Sequence, residues 1–408
     1  MPDFLQNAGR ELPFILLLLA LLGFRWRVHP RASVFIRAPA EKILSLVDFR
    51  EGDGQRWQRT KVKCDLIDPA TETYRLTFVT ALATGAVQSS QALFRVAERI
   101  EGRRLDIRRA GLEGQSENSQ LMRMLSELTP EAGGTRLRIT YEWGPRPLLA
   151  QLLARADLWG SIFRLKGVAE TGVPDFRTDA LISAGVAIVT GLITLWTFAF
   201  AFGWAIAFLL VAALLVHEFG HLLAYRLIGQ PWGRMVFLPF LGAIAVPRLG
   251  FVTQGQSVFA AIMGPAFSVF VPVLAAIYIY FWPYGIGRDI AISIGLVAAA
   301  LNMFNLLPVE PLDGGVVLRS IAARIMGRWA RYGLIAVGIA IILAGWYAEQ
   351  VLLMIFGGLA LLMNIRTRII DHGLQPLSRL QVTISAFGFM SVVAAYAGLL
   401  RFFLANIP

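Results

Sequence analysis

The chain has 408 residues, of which 56% are apolar and only 16% charged, and its mean hydropathy is +0.60. Soluble domains run at roughly 45–50% apolar and about 25% charged, so an ordinary soluble enzyme and a disordered chain are both excluded. The net charge of +11 does not point to nucleic acid, because no basic run interleaves with aromatic residues, whereas arginine collects in the cytoplasmic loops of membrane proteins.

Charge is unevenly distributed. Residues 1–179 hold 21 of the 27 acidic and 26 of the 38 basic side chains, including all four lysines (Lys42, Lys61, Lys63 and Lys166). The sequence therefore divides near residue 179 into a part that faces water and a part that faces lipid. Cys64 is the single cysteine, which excludes a disulfide or a cysteine metal cluster and fits a reducing compartment for the water-facing part.

Residues 12–24 (LPFILLLLALLGF) form an apolar run shorter than the ~20 residues that cross a bilayer. Arg10 precedes it and Arg25, Arg27, Arg31 and Arg37 follow it. That bias predicts an uncleaved anchor over residues 1–31, extended through Trp26 and Val28, with the following segment kept in the cytoplasm.

Residues 32–172 read as a soluble α+β domain. ASVFIRA alternates as a strand does, and APAEKILSLVDF carries apolar residues at helical spacing. KVKCDLID, TYRLTFVT, QALFRVAE and RRLDIRRA follow as strands. SQLMRMLSELTPEAGGTRLRITYEW predicts two more strands joined by a turn at Gly133 and Gly134, and residues 146–171 predict a long amphipathic helix. This order, with its IRAPAEKI opening, resembles the helix-grip (START-like, SRPBCC) fold. The resemblance implies a domain that holds an apolar ligand between its sheet and its final helix.

From residue 180 the chain reads as a multi-span α-helical membrane protein. Spans are expected at about 180–200, 203–228, 256–282, 290–307, 332–348, 350–365 and 380–404, each long enough to cross or nearly cross the bilayer. Residues 232–251 (WGRMVFLPFLGAIAVPRLGF) have glycine and proline spacing that suits a re-entrant loop or hairpin. Backbone of that kind is tolerated at membrane depth only where protein or a water-filled cavity satisfies it, so this stretch is a candidate edge for holding an extended peptide. With the water-facing domain inside, ten of the twelve arginines beyond residue 180 fall on its side, and only Arg288 and Arg401 fall opposite. The expected location is a bacterial inner membrane, with the soluble domain in the cytoplasm.

Two of the four histidines lie in HEFGH, residues 217–221, within an apolar run. Positions four apart share a helix face, so His217 and His221 can reach one metal with Glu218 beside them as a general base. A polar helix face that merely binds neighbouring helices is the plainer explanation. It is disfavoured because two histidines and a glutamate are costly in hydrocarbon unless they are functional. A catalytic zinc needs three protein ligands and an open position. Candidates for the third are Asp289, Glu310, Asp313, Glu349, Asp371 and His372. Asp313 lies in NLLPVEPLDGG, residues 305–315, where Pro308 and Pro311 interrupt the helix; Glu310, three residues away, is its rival. His29 and His372 read as flanking surface residues.

Together, HEFGH and the later Asn305–Pro308–Asp313–Gly314 pattern resemble the site-2 protease family of intramembrane zinc metalloproteases, which pairs HExxH with NxxPxxxxDG. GPAFS at Gly264–Ser268 is similar to that family's intervening glycine motif. The resemblance spans roughly residues 180–375, leaving 376–408 as a C-terminal transmembrane helix. It implies zinc held by His217, His221 and Asp313, Glu218 as base, and Asn305, Gly264 and Pro308 lining the substrate site. The implied substrates are transmembrane proteins cleaved within or near their spans. Many bacterial members carry a PDZ domain, which is not legible here; the helix-grip-like domain takes that regulatory place in this reading. The alternative from another class is a lipid-binding or lipid-handling membrane protein with a vestigial protease core.

Overall fold

A computed structural model describes residues 25–27, 29–49, 52–54, 61–81, 87–110, 121–144, 146–239, 242–248, 250–308, 312–347 and 374–407, with scattered positions between 349 and 365. The expected anchor over 12–24 and most of the expected span over 350–365 lie outside the described residues. The chain forms two compact units, residues 1–188 and 189–408.

The first unit is built on eight antiparallel strands: β1 (Arg31–Ile36), β2 (Gly52–Gly54), β3 (Lys61–Asp68), β4 (Thr73–Ala81), β5 (Val87–Ile100), β6 (Arg104–Arg109), β7 (Leu121–Glu131) and β8 (Gly134–Trp143). Their order in the sheet is β1-β8-β7-β6-β5-β4-β3-β2. Helix α1 (Ala40–Val47) follows β1, and the long helix α2 (Leu148–Thr171) follows β8. This is the helix-grip arrangement expected from the order of elements.

Alternation decides which face each strand buries. In β8, Leu137 and Ile139 are buried while Arg136 and Arg138 are exposed. Helix α2 contributes Leu158, Ile162, Leu165 and Ala169 to the same core as Ile36, Ile43, Leu105 and Ile107, and that 4-3-4 spacing is one helix face. The turn between β7 and β8 places Gly133 at φ +80°, a conformation that favours glycine. Two features depart from the sequence reading. Strand β5 runs 14 residues, not eight, and its register shifts between Val96 and Glu98, a bulge that lets a long strand bend. Strand β2, a GDG segment with no apolar alternation, is held by pairing with β3 at the sheet edge.

On the opposite sheet face Asp106 is only 1% exposed. Arg123 donates to it at 2.7 and 2.8 Å, and Arg108 at 3.0 Å. Burial opposes its charge, but the two guanidinium groups outweigh that cost and hold the carboxyl below its usual range.

Helix α3 (Phe176–Phe202) begins at the cap Asp175, which accepts from the Thr178 N–H at 3.0 Å. One turn on, Asp179 is fully buried and paired with Arg164 of α2 at 2.7 Å. A side chain at Gly160 would overlap the Asp179 carboxylate, so this approach of α2 to the base of α3 requires a glycine.

The second unit contains α4 (Trp204–Leu227), a hairpin of β9 (Arg234–Leu238) and β10 (Gly242–Val246), α5 (Gln254–Ser268), α6 (Phe270–Phe281), α7 (Ile286–Asn305), α8 (Asp313–Met326), α9 (Ala330–Tyr347) and α10 (Arg379–Ala405). With α3, and with α5 and α6 taken as one span, six described segments are long and apolar enough to cross a membrane. The chain is a membrane protein.

Residues 232–251 include the antiparallel hairpin that the glycine and proline spacing suggested. The expected single span over 256–282 is divided at Val269, between Pro265 and Pro272, each of which lacks the N–H that would continue the helical ladder. Helix α4 packs against α5 and α7. Gly220 and Gly264 make the first contact close, since a Cβ at Gly220 would meet the Met263 carbonyl and the Gly264 Cα. Helix α8 closes against the end of α7 in the same manner, because a Cβ at Gly314 would overlap the Leu306 carbonyl. Helix α10 starts with a capping box between Ser378 and Gln381 and packs on α5, α7 and α8.

Candidate metal centre

Helix α4 is apolar nearly throughout, yet it buries three polar side chains on one face: His217 at 2%, Glu218 at 3% and His221 at 8% exposure. Helical spacing alone aligns the imidazoles. A fourth group arrives from α8, where Asp313 is the first helical residue after the break in the 305–315 segment. The Nε2 atoms of His217 and His221 lie 3.1 Å apart. Asp313 Oδ2 is 3.1 Å from the first and 3.4 Å from the second.

The far side of each ring fixes what these atoms are. His221 Nδ1 is 2.8 Å from the Ala260 carbonyl, which can only accept, so that nitrogen carries the proton. His217 Nδ1 is 2.8 Å from Asn302 Oδ1. The Asn302 amide nitrogen donates to the Ala298 carbonyl, which leaves Oδ1 as the acceptor facing His217. In their neutral form both rings therefore present Nε2 lone pairs toward each other and toward a carboxylate. Three acceptors converging in this way repel one another. A proton on one ring would relieve only part of that repulsion, whereas a cation among them relieves all of it.

The spacing suits zinc. Ligand atoms at about 2.0–2.1 Å from a tetrahedral zinc stand roughly 3.3–3.4 Å from one another, close to the 3.1–3.4 Å separations found here. Two imidazoles and one carboxylate are the donor types of a catalytic zinc with one position left open. Among the described residues, Asp313 Oδ2 faces no polar partner other than the two imidazoles.

Glu218 belongs to the same cluster, with its ligating atom within 4.8 Å of those of both histidines. The backbone N–H of Ala245 in β10 faces its carboxylate, while Oε2 is buried without a hydrogen-bond partner. The Tyr225 hydroxyl donates to the Ala245 carbonyl at 3.0 Å. Both polar groups of Ala245 thus face α4, so the β10 backbone borders the site.

The other residues singled out by sequence fall as follows. Gly264 lies against the His221 ring, and any Cβ there would overlap the imidazole. Asn305 ends α7 and Pro308 follows it in the connection to α8, both half-buried. Asp289 stands in the first turn of α7, about 20 Å along the axis from Asn302, with its side chain 65% exposed. Glu349 follows α9 at φ +55° and is not part of the cluster. Glu310, Asp371 and His372 lie outside the described residues. His29 is exposed, 4.0 Å from Glu142.

Three contributors were assigned no role by the sequence reading. They are Asn302, the Ala260 carbonyl and Ser268, which closes the GPAFS segment and whose hydroxyl donates to Asn302 Oδ1 at 2.7 Å. A carbonyl leaves no trace in sequence, and a single Asn or Ser in an apolar helix does not name its partner.

No family model matches the chain. It is 29% identical over 130 residues to a zinc metalloprotease of Methanocaldococcus jannaschii, covering 30% of this chain and 36% of that one. It is 33% identical over 156 residues to a Synechocystis protein named provisionally as a zinc metalloprotease, covering 38% of each. The matches thus span little more than a third of either relative's length. The solved structure of the site-2 protease from Methanocaldococcus jannaschii aligns with 47% of this chain and 91% of its own, at 18% identity and a TM-score of 0.31.

Proposed function

We propose that this chain is an intramembrane zinc endopeptidase that cleaves transmembrane proteins within or near their spans. The observation that carries the reading is the convergence of His217, His221 and Asp313 as three buried acceptors, with Glu218 beside them. Similarity to two proteins named as zinc metalloproteases supports it.

In this reading His217, His221 and Asp313 hold zinc and Glu218 is the general base. When bound, zinc would polarise the scissile carbonyl and lower the pKa of a bound water to about 7. Glu218 takes a proton on Oε2, its unpartnered oxygen, and returns it to the leaving amine, while the Ala245 amide steadies the other side of the carboxylate. A substrate helix hides its amides in intrahelical bonds, so it must unwind before attack. The hairpin β9–β10 borders the cluster and offers backbone to which an unwound strand can pair. Asn305, Pro308 and Gly264 are assigned to the substrate side. Arg226 lies nine residues beyond His217, which at 1.5 Å per residue sets the site roughly 14 Å below the cytoplasmic surface. The soluble unit is assigned to the cytoplasm of a bacterial cell, where an apolar ligand between sheet and α2 would regulate cleavage.

The deciding experiment purifies the full chain, measures bound zinc, and compares membrane proteomes of cells carrying wild type or Glu218→Gln. The expected result is about one zinc per chain in both proteins, with a membrane protein accumulating uncleaved only in the variant. A chain that binds no zinc, or a variant with full cleavage, overturns the proposal.

A further inference from the structure

The rear of His217 is held by a chain of side chains from three helices. His217 Nδ1 donates to Asn302 Oδ1 on α7. That oxygen also accepts from the Ser268 hydroxyl, on the last residue of α5, at 2.7 Å. The Tyr396 hydroxyl of α10 donates its one proton to the Pro265 carbonyl at 2.7 Å, and so holds the last turn of α5, which carries Ser268; the two hydroxyls lie 3.2 Å apart with no proton between them. All three partners are sealed from solvent: Asn302 and Tyr396 are 0% exposed and Ser268 is 1% exposed.

Each link has a physical reason. The break at Val269 leaves carbonyls of the last α5 turn without the regular ladder, and Tyr396 occupies the one at Pro265. With its amide nitrogen committed to Ala298, Asn302 can offer His217 only an acceptor. An acceptor at Nδ1 keeps the proton there and the lone pair on Nε2, the form a metal ligand requires. His221 obtains the same orientation from a backbone carbonyl that no substitution removes. His217 depends on side chains.

We infer that Asn302 is the positioning residue that sets the orientation and tautomer of His217, and that Ser268 and Tyr396 hold Asn302 in place, which makes the C-terminal span α10 part of the metal centre. This rests on the metalloprotease reading and extends it to residues outside HEFGH and the 305–314 pattern.

The test measures zinc binding to the purified full chain by chelator competition, independently of any cleavage, with thermal unfolding recorded for every variant. Asn302→Leu is expected to weaken zinc binding 10–100-fold, the usual effect of removing an outer partner of a ligand histidine. Asn302→Asp keeps an acceptor at the same position and should remain within a few-fold of wild type. Tyr396→Phe should weaken binding by a smaller factor, and adding it to Asn302→Leu should cost nothing further, because Tyr396 acts through Asn302. The inference is overturned if Asn302→Leu binds zinc like wild type, or if Asp and Leu at 302 weaken it equally with unfolding unchanged. It is also overturned if the Tyr396 and Asn302 effects simply add. Zinc binding that survives His217→Ala would instead remove the metal centre itself, and with it both readings.

Discussion

At the scale of single residues, the metal centre depends on what is absent as much as on what is present. Gly264 has no side chain, and the His221 ring occupies the space a Cβ would fill. The Gly264→Ala substitution should therefore displace His221 from the other two ligand atoms. Zinc affinity is expected to fall about tenfold or more while the apolar packing of α5 keeps the protein folded; chelator competition alongside thermal unfolding checks this. An affinity equal to wild type would show that the ring can shift without consequence. The two histidines and Glu218 were legible in the sequence because helical spacing is a local pattern, whereas Asp313 stood level with Glu310 until the resemblance of residues 305–314 to a family motif separated them. The support behind them was not. Ser268 and Asn302 are 34 residues apart and Ser268 and Tyr396 are 128 apart, so the contacts exist only once α5, α7 and α10 pack. Asn302 was visible as a polar residue in an apolar helix, but nothing in its neighbourhood identified His217 as its partner.

Among the elements, the hairpin β9–β10 is the least ordinary, since a two-stranded ribbon between membrane-length helices must satisfy its own edges. Part of each edge is already occupied. The Phe237 N–H donates to Thr190 Oγ1 at 3.2 Å, and the Ala245 carbonyl accepts from the Tyr225 hydroxyl of α4, with its N–H turned toward Glu218. In the antiparallel register, Phe237 pairs with Ala243 and Met235 with Ala245. The β10 backbone at Ala243 therefore points outward on the same edge as Ala245. Proline at that position removes an outward N–H without touching the ladder between the strands. For Ala243→Pro we expect cleavage to drop by an order of magnitude or more with bound zinc unchanged, read by a cleavage assay and metal analysis on one preparation. Unimpaired cleavage would exclude strand pairing at this edge. The hairpin itself could be anticipated from glycine and proline spacing, but not which of its backbone groups the protein uses internally; that is set by where α4 lies.

Across the whole molecule, the two units differ in how they use charge. The soluble unit pairs carboxylates with arginines and caps, and both Asp106 and Asp175 are held below the ordinary range. For Asp106, burial is outweighed by Arg123 and Arg108; for Asp175, bonds from the Thr178 side chain and backbone lead. A depressed carboxyl contributes stability that is complete above its unfolded value of about 3.9 and is lost as pH falls through the lower folded value. The soluble unit should therefore lose tertiary structure below about pH 4, seen as acid-dependent proteolysis of the full chain confined to residues before α3. Asp106→Asn should be less stable at neutral pH and show a smaller further loss on acidification. An acid profile identical to wild type would remove Asp106 as a cause. If the soluble unit regulates cleavage, deleting residues 32–172 must change rate or substrate range, and an unchanged profile ends that assignment. The antiparallel sheet and final helix were readable because each strand alternates over several residues. The paired arginines on the outer sheet face were not, since cross-strand neighbours follow from register.

The order in which the metal centre is encoded has a consequence for biosynthesis. His217, Glu218 and His221 emerge from the ribosome with α4, Ser268 with α5 and Asn302 with α7, before Asp313 opens α8 and Tyr396 arrives on α10. A nascent chain that has inserted only through α7 carries two imidazoles and a glutamate but lacks the carboxylate that faces them. Whatever chemistry the site performs is withheld until later spans are threaded into the bilayer. Half-made molecules therefore pass through the insertion machinery, among other newly made spans, without a working centre.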